Sequence, residues 1–476
     1  RKAPDADALD FIDFINASPS AFHAVATVEA RLSAAGFTKL SEREPWVDVI
    51  KPNGKYYLTR NQSSLAAFCV GGKYKPGNSF NIVAAHTDSP CLKVKPVSKR
   101  AAAGFVQVGV ECYGGGLWHT WFDRDLGAAG RVFVEGEPGK FESRLVNIRR
   151  PILRVPTLAI HLDRGVNEKG FLFNKEKHLA PVLVRLLLGL CFVVFVADAE
   201  AASSLTEAKE DDGGPHPSKL IELLAAELDV EPSKISNLEL SLFDTNPSAL
   251  GGVDNEFIFS ARLDNLMMSY TCMRALLAAK DDGLEDDDTV RTIALFDNEE
   301  VGSNSLMGAG STLLEEAMKR WAAFVMCPDP ELFAIAMRKS LLVSADMAHA
   351  CHPNYQEKHE DKHRPVMNGG IVIKTNSNQR YATTAVTSLL LKEAAKRLGT
   401  PFQEFVVRQD MGCGSTIGPI LSSALGMRTV DVGIAQLSMH SAREMCGAAD
   451  VGNAINLFTA IFRHFAELDG AITGSD

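Results

Sequence analysis

The sequence predicts an α/β fold interrupted by a β-rich insertion, and three features carry that prediction. Short apolar runs of strand character alternate with helical periodicities up to about residue 100, and again after about residue 250. Between them, from about residue 100 to 180, short β-like runs separated by Gly-rich turns replace the alternation. At 476 residues the chain also exceeds one ordinary domain. The expected division places a first part of the α/β domain over residues 1–100, the insertion over 101–248 and the second part over 249–476.

The elements follow in order. "ALDFIDFINAS" is amphipathic and predicts a helix, after which Ser18 and Pro19 read as cap and first position of a second helix ending near Gly36. "SFNIVAAH" reads as a buried strand. In the insertion, "FVQVGVECYGGGL", "GRVFVEG" and "PTLAIHL" have β character. The apolar run Leu186 to Ala197 falls short of the about 20 residues a membrane span needs, so a buried strand or helix, or an irregular insertion, is expected. Ser203 to Lys219 is polar and reads as a linker loop. Beyond residue 250, "LDNLMMSYTCMRALLAAK", "TSLLLKEAAKRLG" and "NAINLFTAIFRHFAEL" predict helices, while "TIALF", "KSLLVSA", "QEFVV" and "RTVDVG" predict strands. No repeat recurs at a fixed period.

Composition narrows the function. The chain is 46% hydrophobic and 23% charged, with 59 acidic against 49 basic residues and a net charge of −10. That balance argues against a general nucleic-acid or membrane-surface binder, although a pocket can be locally basic on an acidic protein. Nine scattered cysteines without a C-x-x-C pair fit reduced thiols and a cytoplasmic location. No secretory signal is recognisable; the sequence begins at Arg1 rather than Met, so targeting is not read from its start.

Residues of metal-ligand type sit where strands stop. "NIVAA" runs into His86, Thr87 and Asp88; "TIALF" into Asp297, Asn298, Glu299 and Glu300; "LLVSA" into Asp346. "RTVDVG" leads through a loop to His440, and Asp264 stands just before a helix. In open α/β sheets such strand ends face one crevice. Two imidazoles and several carboxylates without thiolate suit a catalytic divalent ion of the zinc type. Asp264 has two oxygens and can bridge two ions, and Asp88 can fix the ring tautomer of His86 from behind. Singly each residue has a plainer reading: a capped turn for His86 and Asp88, a helix N-cap for Asp264, a strand-end turn for Asp346, a core histidine for His440.

Taken together, "AAHTDSPCLKVKP", "ARLDNL", "LFDNEEVGS", "SADMAHACHPNY", "NGGIVIKTNSNQRYAT", "GCGSTIGP" and "MHSAREMCG" resemble, in order, the motifs of the aspartyl aminopeptidases, a family of dinuclear zinc exopeptidases. The likeness spans nearly the whole chain, departing from the pattern at Leu186 to Ala197. It implies a metallopeptidase catalytic domain with a central mixed sheet, interrupted by a dimerisation domain. It implies two divalent metal ions per subunit, zinc, with His86 and His440 on one, Glu300 and Asp346 on the other and Asp264 between them. Glu299 would be the general base. Substrate contacts would come from His349, Lys374 and Tyr381, and from His161 of a neighbouring subunit, in a homo-oligomer built as a tetrahedral dodecamer of dimers.

The expected activity is release of N-terminal Asp or Glu from peptides, with Lys374 as the cation of the first side-chain pocket; without the resemblance, Lys374 reads as a surface lysine on a strand. The alternatives are a related dinuclear aminopeptidase or amidase with another side-chain preference, and a non-catalytic oligomeric scaffold or transport cargo. His359 and His363, four apart, are rejected as a ligand pair because the charges around them suit a solvated segment. "DMGCGSTIGP" lacks the phosphate-loop pattern and suits a Gly-rich turn lining the cleft. Cys413 has no evident base partner and reads as a packed small residue.

Overall fold

Four strands buried along their whole length set the frame: Phe80–His86, Val290–Phe296, Leu341–Ala345 and, all but its first residue, Arg428–Gly433. They lie parallel to one another in the middle of the sheet with both faces covered, which explains why they read as continuous apolar runs rather than alternating ones. The computed structural model describes residues 5–185, 213–322 and 330–472. The chain folds into two units, Arg1–Ser89 with Ser248–Asp476, and Pro90–Pro247. The apolar run at 186–197 lies outside the described residues, as do residues 203–212 of the polar stretch.

The first unit is built on a nine-stranded mixed sheet. From edge to edge it runs Thr38–Lys39, Lys55–Arg60, Ser64–Val70, Val290–Phe296, Phe80–His86, Leu341–Ala345, Arg428–Gly433, Ile371–Lys374 and Phe402–Phe405. Alternation across the sheet separates two cores. Val83, Ala85, Ile293, Leu295 and Val343 pack with the helices Ala6–Ala17, Ala21–Ala34, Leu263–Ala279, Ala385–Leu398 and Ala449–Gly470. Ile82, Ala84, Ala294, Phe296 and Leu342 pack with Leu313–Ala322, Pro330–Lys339 and Ile417–Leu425. The helix Leu263–Ala279 is buried at 14 of its 17 residues, which is why it lacks a broad polar face. Among the described residues no helix is long and apolar enough to cross a membrane.

Register brings the metal-type residues level. Phe296 pairs with His86, and Ser344 pairs with Ala84, so Asp346 reaches the height of His86 one step beyond its strand. A small five-stranded sheet in the same unit, Ala249–Gly251, Phe257–Ser260, Glu444–Gly447, Ala435–Leu437 and Ala348–His349, carries His440 on the turn of a hairpin. His440 has φ 67° there and Ser438 φ 61°, so the turn uses left-handed backbone without glycine.

Two local expectations are corrected. Ser18 closes the first helix, donating from Oγ to the Phe14 carbonyl, and Ser20 takes the N-cap position of the second helix, which ends at Ala34. "PTLAIHL" forms no strand: residues 156–162 are irregular, with Leu158 57% and Leu162 74% exposed. Its alternating apolar side chains satisfy the β pattern but pair with no neighbouring strand among the described residues.

The second unit is a six-stranded antiparallel sheet ordered Phe141–Leu153, Leu126–Glu135, Ile235–Asp244, Cys91–Ala102, Phe105–Tyr113 and Val182–Arg185. The boundary expected at residue 100 falls inside its strand Cys91–Ala102. The end of the polar stretch is anchored here rather than free. His216 is buried on the Ser98 hydroxyl at 2.8 Å, the Pro215 carbonyl accepts from Ser98 and Lys99, and a helix starts at Ser218.

Candidate active site

His86, Asp88, Asp264, Glu299, Glu300, Asp346 and His440 converge at the carboxyl ends of the central strands, all within the first unit. His86 Nε2 lies 3.4 Å from Asp264 Oδ1, 3.6 Å from Asp346 Oδ1 and 3.8 Å from Glu299 Oε2. His440 Nε2 lies 3.3 Å from both Asp264 Oδ2 and Glu300 Oε2. Asp264 thus presents one oxygen to each imidazole. The distances set His86 beside Asp346 and His440 beside Glu300, whereas the resemblance implies His86 with His440 and Glu300 with Asp346. The two rings face opposite oxygens of Asp264, which sets them beside different positions. Side-chain exposure is 1% for His86 and 30% for His440, so the cluster opens to solvent on the His440 side.

The cluster is held from behind by residues of several segments. His86 Nδ1 lies 3.1 Å from the Asp88 carbonyl and 3.3 Å from its carboxylate, which suits a ring protonated on Nδ1 with Nε2 free toward the centre. The same Asp88 carboxylate accepts the backbone N–H groups of Glu299 (3.2 Å) and Glu300 (3.1 Å), fixing the turn from which both glutamates project. Asn298, with φ 61°, makes that turn, and neighbouring side chains leave it in different directions. The Asp264–Asn265 peptide is cis, and Asn265 donates to the Ala345 carbonyl just before Asp346. Ser269 donates to the His86 carbonyl and Ser89 to that of Asp264.

Glu444 is the clearest residue that sequence reading missed. Its carboxylate accepts from the backbone of Asp264 (3.2 Å) and of His440 (2.8 Å), tying together two segments that carry candidate ligands. The available signal was an acid four residues after His440, at the head of a strand.

Electrostatics mark the cluster as short of cations. Burial pushes Glu299 up to about 8, opposed by His86 and reinforced by Asp346 and Asp264. Burial and the Asp264 charge push Glu444 up to about 8 and hold Glu300 well above the carboxylate range. Burial works against a charged His86, but the Glu299 charge and the carboxylates of Asp264, Asp346 and Asp88 outweigh it and raise its pKa. Burial likewise opposes ionised Asp264, and the two imidazoles prevail and hold it low. Among the described residues no Lys or Arg pairs with Asp264, Glu299, Glu300 or Asp346, and the buried Asp264 Oδ1 and Glu300 Oε1 accept no hydrogen bond. Two imidazoles and hard carboxylate oxygens, over-supplied with acceptors and lacking thiolate, form a donor set that fits divalent cations.

Beside the cluster lies a second group. Lys374 is 2% exposed, so the surface-lysine alternative does not describe it; its Nζ donates to the Met347 carbonyl at 3.1 Å and lies 5.1 Å from the Tyr381 ring centre. Tyr381 and His349 line one cavity of about 200 Å³ with Phe405, Arg408 and Cys413. His161 sits in the exposed irregular segment of the second unit. His359 and His363 are not a pair, since His359 Nε2 accepts from the His352 backbone while His363 meets Glu360 at 2.5 Å.

Comparison with known proteins follows the same outline. Residues 14–462 match the family described as aminopeptidase I zinc metalloprotease (M18). The aspartyl aminopeptidase of Dictyostelium discoideum is 49% identical over 472 residues, covering 97% of each chain. In the cryo-EM structure of the Ape4 and Nbr1 complex, a chain 46% identical superposes with a TM-score of 0.92, covering 99% of this chain and 88% of that one. The structure of the S. cerevisiae mApe1 dodecamer gives a TM-score of 0.83 at 33% identity, covering 97% and 98%.

Proposed function

The chain belongs to the aminopeptidase I zinc metalloprotease (M18) family, and from that membership we propose that it removes Asp and Glu from the N-termini of peptides, using two divalent metal ions per subunit. The observation that carries this reading is the two-sided arrangement about Asp264. His86, Asp346 and one Asp264 oxygen would hold one ion, and His440, Glu300 and the other oxygen the second. Zinc held there would supply the Lewis acidity that activates water near neutral pH and polarises a carbonyl.

The chain's own residues do the rest. Glu299, held by Asp88 through its backbone, takes the proton of the attacking water and delivers it to the leaving amine. Tyr381 or His349 donates to the oxygen on which charge develops. Lys374 meets the carboxylate of the first side chain, and the name of the Dictyostelium relative supports that acidic preference. His161 of the neighbouring subunit completes the site in a homo-oligomer, a tetrahedral dodecamer of dimers joined through the inserted unit. The dodecameric relative and the exposed Leu158, Ile160 and Leu162 flanking His161 in the chain support this assembly, because such apolar surface calls for cover. The nine scattered cysteines include no C-x-x-C pair, which supports a reducing, cytoplasmic location.

The test is a panel of peptides beginning with Asp, Glu, Leu and Lys, assayed on zinc-loaded protein with a chelator control. Preferential release of Asp and Glu is expected. Leu released as fast as Asp overturns the acidic assignment.

A further inference from the structure

We propose that Asp431 is a positioning residue for recognition of the acidic side chain: its carboxylate holds the Tyr381 segment in place and faces Lys374 across the sheet as a counter-charge. The inference rests on the reading of Lys374 as the cation of the first side-chain pocket.

The sequence shows a lone acid inside an apolar strand, "RTVDVG". In the antiparallel pairing of Arg428–Gly433 with Ile371–Lys374, Asp431 stands directly opposite Lys374. Opposed residues of such a pair project to the same face. Both are almost entirely enclosed, at 0% and 2% exposure. A buried carboxylate costs free energy unless it is paired or hydrogen-bonded, and this one meets a donor on each oxygen. Oδ2 accepts the Ala382 backbone N–H at 2.6 Å, and Oδ1 accepts the Thr416 hydroxyl at 2.5 Å. The Asp431 N–H donates to Thr383 Oγ1 at 2.9 Å. Asp431 therefore grips the residues on the C-terminal side of Tyr381 and the N-cap of the helix Ile417–Leu425 at once.

Lys374 is not consumed by this arrangement. Its Nζ donates to the Met347 carbonyl and interacts with Asp431 through charge rather than a direct ion pair, which leaves donors for an incoming carboxylate. The fit around Asp431 is tight: a Cβ on Gly418 would stand 2.3 Å from Oδ2 and 2.4 Å from Oδ1. Gly418 has ordinary helical backbone, so close approach to this carboxylate, rather than chain conformation, accounts for a glycine there.

Two variants test the assignment on zinc-loaded full-length protein, with peptides beginning in Asp, Glu and Ala. Asp431→Asn removes the charge while keeping one acceptor, and Gly418→Ala keeps the charge while displacing it. Each is expected to raise KM for the Asp and Glu peptides by about tenfold, with the Ala peptide changed far less and zinc content retained. Equal losses on acidic and neutral peptides make Asp431 a mere scaffold residue and overturn the proposal, as does an unchanged Asp-to-Ala ratio. If Asp431→Asn does not fold, Gly418→Ala decides by the same ratio. A wild-type enzyme without preference for Asp overturns the proposed function itself; a wild type that prefers Asp, with variants that keep the preference, overturns only this inference.

Discussion

Around Asp264 the first unit gathers two imidazoles and five further carboxylates, Asp88, Glu299, Glu300, Asp346 and Glu444, and it supplies no Lys or Arg to pair with Asp264, Glu299, Glu300 or Asp346 among the described residues. Around Asp431 it places one carboxylate opposite one lysine and meets that carboxylate with an amide N–H and a hydroxyl. Both groups are buried, and burial penalises charge in both. The difference lies in where the compensation comes from. In the second group the chain itself supplies a cation and hydrogen-bond donors, although burial still pushes Asp431 upward, whereas the first is left with raised glutamates and orphaned oxygens that added cations would satisfy. A protein keeps such a deficit where a function uses it.

Removing metal breaks the comparison most strongly. Chelation is expected to abolish activity and lower the melting temperature, and zinc to restore both; ligand present at a thousandfold over its Kd contributes about 4 kcal/mol of stability. Scanning calorimetry on stripped and reloaded protein checks this, and unchanged melting would show the cluster to be self-sufficient. Glu299→Gln should lower kcat by about 10²–10⁴-fold with metal content unchanged, since the residue moves a proton rather than holding an ion. Metal analysis beside steady-state kinetics separates that outcome from loss of an ion.

Glu444→Gln keeps one acceptor oxygen for the two backbone donors and should weaken metal affinity by about 10–100-fold. Competition against a chromophoric chelator measures it, and unaltered affinity would reduce Glu444 to packing. Lys374→Met probes the balanced group. It should remove about 2 kcal/mol of preference for Asp over Ala at the N-terminus and leave metal content untouched, as read from kcat/KM ratios. The smallest effect belongs to His363→Ala, outside both groups on Glu360, where kcat/KM should stay within about twofold; a larger drop with metal loss would revive the rejected histidine pair.

Much of the fold was legible because parallel buried strands leave continuous apolar runs, and "NIVAAH", "TIALF" and "KSLLVSA" are strands in the structure. "PTLAIHL" has an alternating β pattern and forms no strand, since periodicity records which side chains are apolar but not what covers them. Among the site residues, those with a ligand-type side chain at a strand end could be nominated from sequence. The supporting residues could not. Glu444 works by accepting two backbone N–H groups 180 and 4 residues away, and Asp88 by reaching 211 residues to the Glu299 turn.

The sequence by itself determined the α/β alternation, the β-rich insertion, and the family to which the motifs belong, because these depend on residue types in linear order. Tertiary structure alone decided which histidine stands beside which carboxylate. That choice depends on the two oxygens of Asp264 facing opposite ways, and on strand register bringing Asp346 level with His86. It also decided that Lys374 is enclosed, and that it faces Asp431 across a strand pair formed by residues 57 apart in the chain (431 minus 374). Pairing and burial are properties of position in space, which the order of residues constrains only after the chain has folded.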